Sequence, residues 1–105
     1  MDLNEYQKKA WQTRKYSGAP DRPDRIPGVV YTALGLNGEA GEVAESIKKI
    51  YRDGGGVFTS ERKRAILLEC GDVLWYLACL TRELNTDLQE VAEMNLEKLG
   101  KRYGS

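Results

Sequence analysis

Two pairs of acidic residues with the same spacing constrain this chain more than any other feature of its sequence. Glu39 and Glu42 form the first pair, and Glu69 and Asp72 form the second. Residues three apart on a helix project from one face, about one turn from each other. Both segments also carry apolar residues at helical spacing, so the acids are predicted to lie at the margin of a packed core.

Four carboxylates at such a margin would repel one another and resist desolvation unless cations lay between them, which predicts a divalent metal site. The chain has no histidine, and Cys70 and Cys79 lie too far apart along one predicted helix to bind the same ion. These facts argue against zinc and against a ferritin-type di-iron centre, which needs Glu-x-x-His elements. Ligation by oxygen alone favours Mg²⁺ first and Mn²⁺ second, and Mg²⁺ in turn indicates phosphate chemistry.

Length and charge indicate one small domain over residues 1–105 with a single modest core. The 16 basic and 16 acidic residues cancel, so no excess of positive charge favours stable nucleic-acid binding. The first residues lack the pattern of a signal peptide. The most apolar run, residues 66–80, is too short for a membrane span and contains two acids. We therefore expect a cytoplasmic protein with reduced thiols and no membrane partner.

Hydrophobic periodicity predicts an all-α fold. The four expected helices cover about residues 3–16, 30–52, 60–84 and 88–103, with Thr59 or Ser60 as the cap of the third. Residues 17–28 contain all three prolines and predict a loop. The second helix has an apolar stripe that comprises Leu36, Ala40, Val43, Ala44, Ile47, Ile50 and Tyr51.

The third predicted helix has apolar residues on two sides. Its main stripe comprises Ile66, Val73, Leu77, Leu80 and Leu84, and the opposite side comprises Leu68, Trp75 and Cys79. A helix that is apolar nearly all round is normally buried on all sides, which a small four-helix domain cannot easily achieve. We therefore expect a subunit interface on this helix. The alternative is that the first helix covers the second side within the chain.

Basic residues near the predicted acids are candidates for binding phosphate. Lys49 lies two turns after Glu42 on the same side of the second helix. Asn95, Lys98 and Arg102 follow one another at spacings of three and four on the last helix. These residues could simply balance the charge of the acids, but their association with a predicted metal site favours phosphate binding.

Gly35, Gly38 and Gly41 also recur at a spacing of three, beside the first acidic pair. Glycine costs a helix about 1 kcal/mol per position. The repeat therefore indicates either the close approach of a ligand or another backbone, or a loosened start of the helix.

Taken together, these motifs resemble the MazG-like branch of the all-α nucleoside triphosphate pyrophosphohydrolases. The resemblance rests on Glu39-x-x-Glu42, Glu69-x-x-Asp72 and Asn95-x-x-Lys98-x-x-x-Arg102, and on the segments Glu-Ala-Gly-Glu-Val and Gly-Asp-Val-Leu-Trp-Tyr. It implies a four-helix bundle-like domain that assembles as a homodimer or homotetramer. It also implies Mg²⁺-dependent cleavage of a nucleoside triphosphate between the α and β phosphates, giving the monophosphate and pyrophosphate.

By match to the family motif, the metal ligands would be Glu39, Glu42, Glu69 and Asp72, and Asn95, Lys98 and Arg102 would face the phosphates. Glu39 or Glu42 could orient or deprotonate the attacking water, and the sequence does not choose between them. Without histidine there is no Ser-His or Cys-His pair, which favours direct attack by metal-activated water. The sequence does not indicate whether the water attacks the α or the β phosphorus.

The sequence indicates less about the preferred base and sugar of the nucleotide than about its phosphates. Candidates on the first helix are Asn4, Gln7, Trp11 and Thr13, of which we take Gln7 and Trp11 as the base-binding pair. The alternative is that these side chains are structural or exposed. Two other classes of function also remain: a non-enzymatic helical interaction module, and a regulator that binds nucleotide without turnover.

Overall fold

A computed structural model describes residues 1–16 and 27–103 of the chain. In these ranges it has four α-helices and no strand: α1 (Leu3–Gln12), α2 (Gly28–Asp53), α3 (Ser60–Glu83) and α4 (Leu88–Tyr103). The all-α prediction is confirmed. The predicted loop lies outside the described residues, except for its last two positions, where Gly28 already belongs to α2. No helix in the described ranges is both long and apolar enough to cross a bilayer.

The first helix ends four residues earlier than predicted because side chains satisfy its last carbonyl groups. Thr13 Oγ1 donates to the carbonyl of Ala10 at 2.7 Å, and Arg14 Nη1 donates to that of Trp11 at 3.0 Å. Such local bonds compete with continuation of a helix. The chain then brings Tyr16 against Tyr31 of α2, with stacked rings whose centroids are 4.7 Å apart.

Helices α2 and α3 form an antiparallel hairpin, which is the most extensive helix pair of the fold. Gly55 and Gly56 make the reversal with φ angles of 64° and 76°, in the left-handed region that glycine adopts without steric cost. Thr59 then caps α3 by accepting a hydrogen bond from the backbone N–H of Arg62 at 3.2 Å.

Three contacts fix the register of this hairpin. Near the open end of the hairpin, Gly28 lies against the side chain of Glu83. About two turns further along α2, Gly35 lies against the ring of Tyr76. Further along, Ser46 contacts Glu69. As residue numbers increase along α2, the residues that they contact on α3 decrease in number, as in any antiparallel pair. This register brings the two acidic pairs to the same level of the hairpin.

The core lies at the other side of α3, where α1 and α4 meet it. Ala10, Ala78 and Leu88 are buried there, and the half-buried apolar side chains that pack against them are Tyr6, Leu74, Trp75 and Leu77. Buried Gln7 joins α1 to α3 and to the α3–α4 junction, because its Nε2 donates to Ala78 O at 3.0 Å, Thr81 Oγ1 at 2.9 Å and Thr86 O at 3.3 Å. Burying this amide is acceptable because it is hydrogen-bonded.

The second apolar side of α3 is covered largely within the chain. Cys79 is 1% exposed, and Trp75 packs against the core and donates its indole N–H to Thr13 Oγ1 at 2.8 Å. These contacts support the alternative, that the first helix covers this side within the chain, and a subunit interface on α3 stays a prediction. Leu68 is different, since it is 61% exposed.

The four helices do not close into a bundle. Helix α4 packs on α1 and α3 and has no contact with α2. The Cα radius of gyration is 16.7 Å, whereas a compact domain of this length would have about 13 Å. Several residues of the predicted stripes are consequently exposed instead of buried: Ala40, Ala44, Tyr51 and Leu84. The prediction of four helices is confirmed, and in the described residues α2 and α4 lie apart.

Candidate metal and phosphate site

The register of the α2–α3 hairpin brings the four predicted acids together on one groove. Because Gly28 meets Glu83 and Gly35 meets Tyr76, the same register places Glu39 level with Asp72 and Glu42 level with Glu69. The pKa of Glu39 is raised, first by partial desolvation and then by the negative charges of Asp72, Glu42 and Glu69. Glu39 thus lies within the electrostatic field of the other three carboxylates.

The four acids differ in solvent exposure. Glu39 and Glu69 are half-buried in the groove, whereas Glu42 and Asp72 are exposed at its edge. In the part of the chain that the structure describes, no three Asp, Glu or Cys side chains converge closely enough to enclose a metal ion. The donor set is nevertheless made of oxygen alone and has excess negative charge, which fits Mg²⁺ or Mn²⁺ in its chemistry.

Ser46 is a site residue that the sequence analysis missed. Its hydroxyl donates to Oε2 of Glu69 at 2.6 Å across the groove, one turn after Glu42 on α2. This bond fixes one carboxylate oxygen and leaves the other free. The spacing of four from Glu42 is the signal that could have identified Ser46, but an exposed serine on a helix has the same pattern.

Aromatic rings border the open end of the groove. Tyr76 lies beside Tyr31, with centroids 6.3 Å apart, and a Cβ at Gly35 would overlap the Tyr76 ring. Burial, the neighbouring Tyr31 hydroxyl and the charges of Glu39 and Asp72 raise the pKa of Tyr76. Gly35 is therefore explained by the close approach of a side chain. Gly38 and Gly41 have no atom within 4 Å of an added Cβ, so nothing in the described chain explains them.

The predicted phosphate ligands fall into two groups. Lys49 lies on α2 near the closed end of the hairpin, in a cleft of about 300 Å³ that Ser46, Ile50 and Arg62 also line. Asn95, Lys98 and Arg102 lie on α4 and are exposed. Since α4 does not contact α2, the protomer does not bring these three residues to the first acidic pair.

The predicted base-binding pair lies at a different place. The amide nitrogen of Gln7 is committed to three acceptors of the fold, so only its oxygen is left for a ligand. Trp11 lines a cleft of about 860 Å³ between α1 and the α3–α4 junction. The guanidinium groups of Arg14 and Arg82 lie 3.7 and 5.5 Å from its ring centroid. Within the protomer this cleft is on the α1 side of α3, away from the acidic groove.

Comparison with known proteins identifies the family of the chain. "Gene 37 protein" of Mycobacterium phage L5 is 45% identical over 102 residues, which is 97% of this chain and 89% of that protein. No solved structure matches the chain. The sequence profile of the MazG nucleotide pyrophosphohydrolase domain matches residues 31–104, which contain all four acids and the α4 cations. Because this match covers well over half of the chain, the protein belongs to the MazG nucleotide pyrophosphohydrolase domain family.

Proposed function

We propose that this protein is a Mg²⁺-dependent nucleoside triphosphate pyrophosphohydrolase that releases a nucleoside monophosphate and pyrophosphate. The observation that carries the proposal is the register of the α2–α3 hairpin, which brings Glu39 close enough to Asp72, Glu42 and Glu69 for their charges to raise its pKa. Family membership suggests nucleotide pyrophosphohydrolase activity. The acidic groove repels a triphosphate unless cations reverse its sign, so a metal requirement follows from its charge.

Each residue has a role that its position supports. Glu39, Glu42, Glu69 and Asp72 would hold the metal, and Ser46 would keep the Glu69 carboxylate in one orientation. The chemistry supplied by Mg²⁺ when bound is neutralisation of phosphate charge and activation of water. Glu39 or Glu42 would accept the proton of the attacking water, and Mn²⁺ would substitute for Mg²⁺.

Binding of the phosphates is assigned to Lys49 on α2 and to three exposed residues of α4. Lys49 is placed at the closed end by α2 itself, and Lys98 and Arg102 would hold the outer phosphates, with Asn95 donating a further hydrogen bond. Donors aimed at the leaving pyrophosphate stabilise the charge that develops on it. The substrate partner is therefore a nucleoside triphosphate, and the functional unit is a homodimer or homotetramer.

A screen of canonical and modified nucleoside triphosphates with the purified protein tests the proposal. We expect pyrophosphate release with Mg²⁺ and none after addition of a chelator. Asp72→Asn should abolish release, whereas Lys63→Met, on the exposed start of α3, should not change it. Magnesium-dependent nucleotide binding without turnover would favour a regulator instead, and no binding at all would favour an interaction module.

A further inference from the structure

The cleft between α1 and the α3–α4 junction has the size and the chemistry of a ligand site. Its volume is about 860 Å³, and no residue of the acidic groove lines it. Sites that take small molecules measure about 300–1,000 Å³. The walls of this cleft combine an aromatic ring, two cations and several amide groups, and they include Asn4, Gln7, Lys8, Trp11, Arg82 and Asn85.

Gln7 places a hydrogen-bond acceptor in the wall of this cleft. Its side chain is 5% exposed, and the three bonds from its Nε2 hold the amide in one orientation. Among the described residues, the one polar side-chain atom sealed from solvent without a partner belongs to Tyr16, so Oε1 of Gln7 still faces the cleft. A largely buried amide oxygen in this position suits the N–H group of a ligand.

Trp11 lies one turn after Gln7 on α1, and its ring is held by the chain. The guanidinium of Arg14 lies 3.7 Å from the ring centroid, and its Nη1 donates to the carbonyl of Trp11 at 3.0 Å. Arg14 does not line the cleft, so the part of the indole that faces the cleft is not the face that Arg14 covers. A fixed aromatic surface of this kind stacks with a nucleobase.

The cations of the cleft are unpaired, whereas its acids are engaged. The ion pairs of residues 1–16 and 27–103 join Glu45 with Lys48, Arg52 with Asp53, and Glu97 with Lys101. None of them uses Lys8 or Arg82. Asp87 accepts from the backbone N–H of Glu90 at 2.7 Å, and Glu90 accepts from the Thr86 hydroxyl at 2.6 Å. Both acids lie at the start of α4, where the helix dipole compensates negative charge, so the two cations remain available to an anion.

We propose that this cleft is a second nucleotide-binding site, which takes a nucleoside monophosphate without a metal ion. The base lies on Trp11 and donates an N–H to Oε1 of Gln7, and the phosphate lies between Lys8 and Arg82. Two cations match the charge of one phosphate group, whereas the acidic groove repels phosphate until cations neutralise it. A monophosphate is also a product of the proposed reaction. A response to product rests on the proposed function, but binding in the cleft does not.

The two tryptophans of the chain provide a reporter for each site. Trp11 lines the cleft, whereas the ring of Trp75 lies 4.9 Å from that of Tyr76, at the border of the acidic groove. The indole N–H signals of ¹⁵N-labelled protein are titrated in chelator with the ribo- and deoxyribonucleoside monophosphates of the common bases, and Trp11→Phe assigns them. We expect at least one monophosphate to shift the Trp11 signal to saturation and to leave that of Trp75 in place. A shift of Trp75 alone, or no shift with any of the probes, would overturn the proposal.

Variants of the two cations test the phosphate end of the site. Arg82→Gln and Lys8→Gln should each raise the Kd of the monophosphate by about 10-fold, because a charge-assisted hydrogen bond is lost. The matched controls are Arg64→Gln and Lys9→Gln, which change exposed residues of the same two helices outside the cleft and should leave the Kd unchanged. Equal Kd values for all four variants would overturn the assignment.

Three further measurements in chelator separate this site from simpler alternatives. Inorganic phosphate should bind more weakly than the monophosphate, and equal affinity would reduce the cleft to an anion site. The matching nucleoside without phosphate should also bind more weakly. Asp72→Asn should bind the monophosphate as tightly as wild type, since the acidic groove is not involved, and lost binding would mean that cleft and groove form one site. None of these readouts needs turnover, so a protein that binds in the cleft but hydrolyses nothing would count against the proposed function alone.

Discussion

Ser46 on α2 donates a hydrogen bond of 2.6 Å to Glu69 on α3, across the groove that holds the acidic residues. A serine hydroxyl leaves the charge of the carboxylate intact and restricts its orientation. A lysine at the same place would neutralise the carboxylate and compete with a cation. The pairing would therefore orient Glu69, a proposed metal ligand, while preserving its negative charge.

We expect Ser46→Ala to weaken metal use more than folding. Loss of one partly exposed hydrogen bond costs about 0.5–1.5 kcal/mol of stability. Loss of an orienting partner typically costs about 10-fold or more in metal affinity. Magnesium titration of activity, with thermal unfolding in chelator, measures both. Ser60→Ala, on the exposed first turn of α3, is the control, and an unchanged Mg²⁺ requirement in Ser46→Ala would contradict the role of Ser46.

The four acids should tolerate amide substitution in folding but not in turnover. Each of Glu39→Gln, Glu42→Gln, Glu69→Gln and Asp72→Asn is expected to reduce activity severely, because a ligand charge is lost without a cavity. Full activity in any two of these variants would refute the assignment of four ligands.

The raised pKa of Glu39 determines whether ionisation of this residue stabilises or destabilises the folded protein. A carboxyl group with a raised pKa in the folded state contributes stability below its unfolded pKa and loses it as the pH rises through the folded value. At neutral pH without metal, ionised Glu39 therefore opposes folding. We expect Glu39→Gln to melt at the same or a higher temperature than wild type at pH 7 in chelator. The difference should shrink at pH 4, and a lower melting temperature at pH 7 would contradict this sign.

Gly35 and Gly71 allow a direct comparison of two helical glycines. A Cβ at position 35 overlaps the Tyr76 ring, so we expect Gly35→Ala to destabilise the fold by about 1–3 kcal/mol. Gly71 on α3 has no atom within 4 Å of an added Cβ, and Gly71→Ala should stabilise by about 0.5–1 kcal/mol. Urea unfolding in chelator measures both variants. Equal stabilities would show that Tyr76 moves aside without cost.

Gln7 is expected to act on stability and not on substrate selection. Gln7→Ala removes the donor to Ala78 O, Thr81 Oγ1 and Thr86 O, and should cost about 1–3 kcal/mol. Gln12→Ala, an exposed change at the end of the same helix, should lie within about 0.5 kcal/mol of wild type. Comparison of kcat/KM for different bases under conditions where the variant is folded provides the second measurement. A changed order of preferred bases would restore Gln7 to base recognition.

The sequence predicts the elements of this protein better than their assembly. Helical periodicity predicted the bounds of α4 correctly. The two acidic pairs lie at the same level because each is near the middle of its helix, and α2 and α3 are antiparallel. The end of α1 could not be predicted, since it depends on side-chain bonds from Thr13 and Arg14 that compete with the helix. The direction of α4 could not be predicted either, because periodicity identifies an apolar face without identifying which helices it packs against.

The last prediction concerns which phosphoanhydride bond of the triphosphate is cleaved, and identification of the products tests it. A triphosphate held by carboxylate-bound magnesium could release orthophosphate from its end or pyrophosphate from between the α and β positions. We expect the monophosphate and pyrophosphate, since family membership suggests this reaction and Lys98 and Arg102 are assigned to the outer phosphates. Chromatography of the products decides between the two outcomes, and diphosphate with orthophosphate would refute the assignment. Hydrolysis in water enriched in ¹⁸O then identifies the phosphorus attacked. Label in the monophosphate means attack at the α position, and label in pyrophosphate means attack at β.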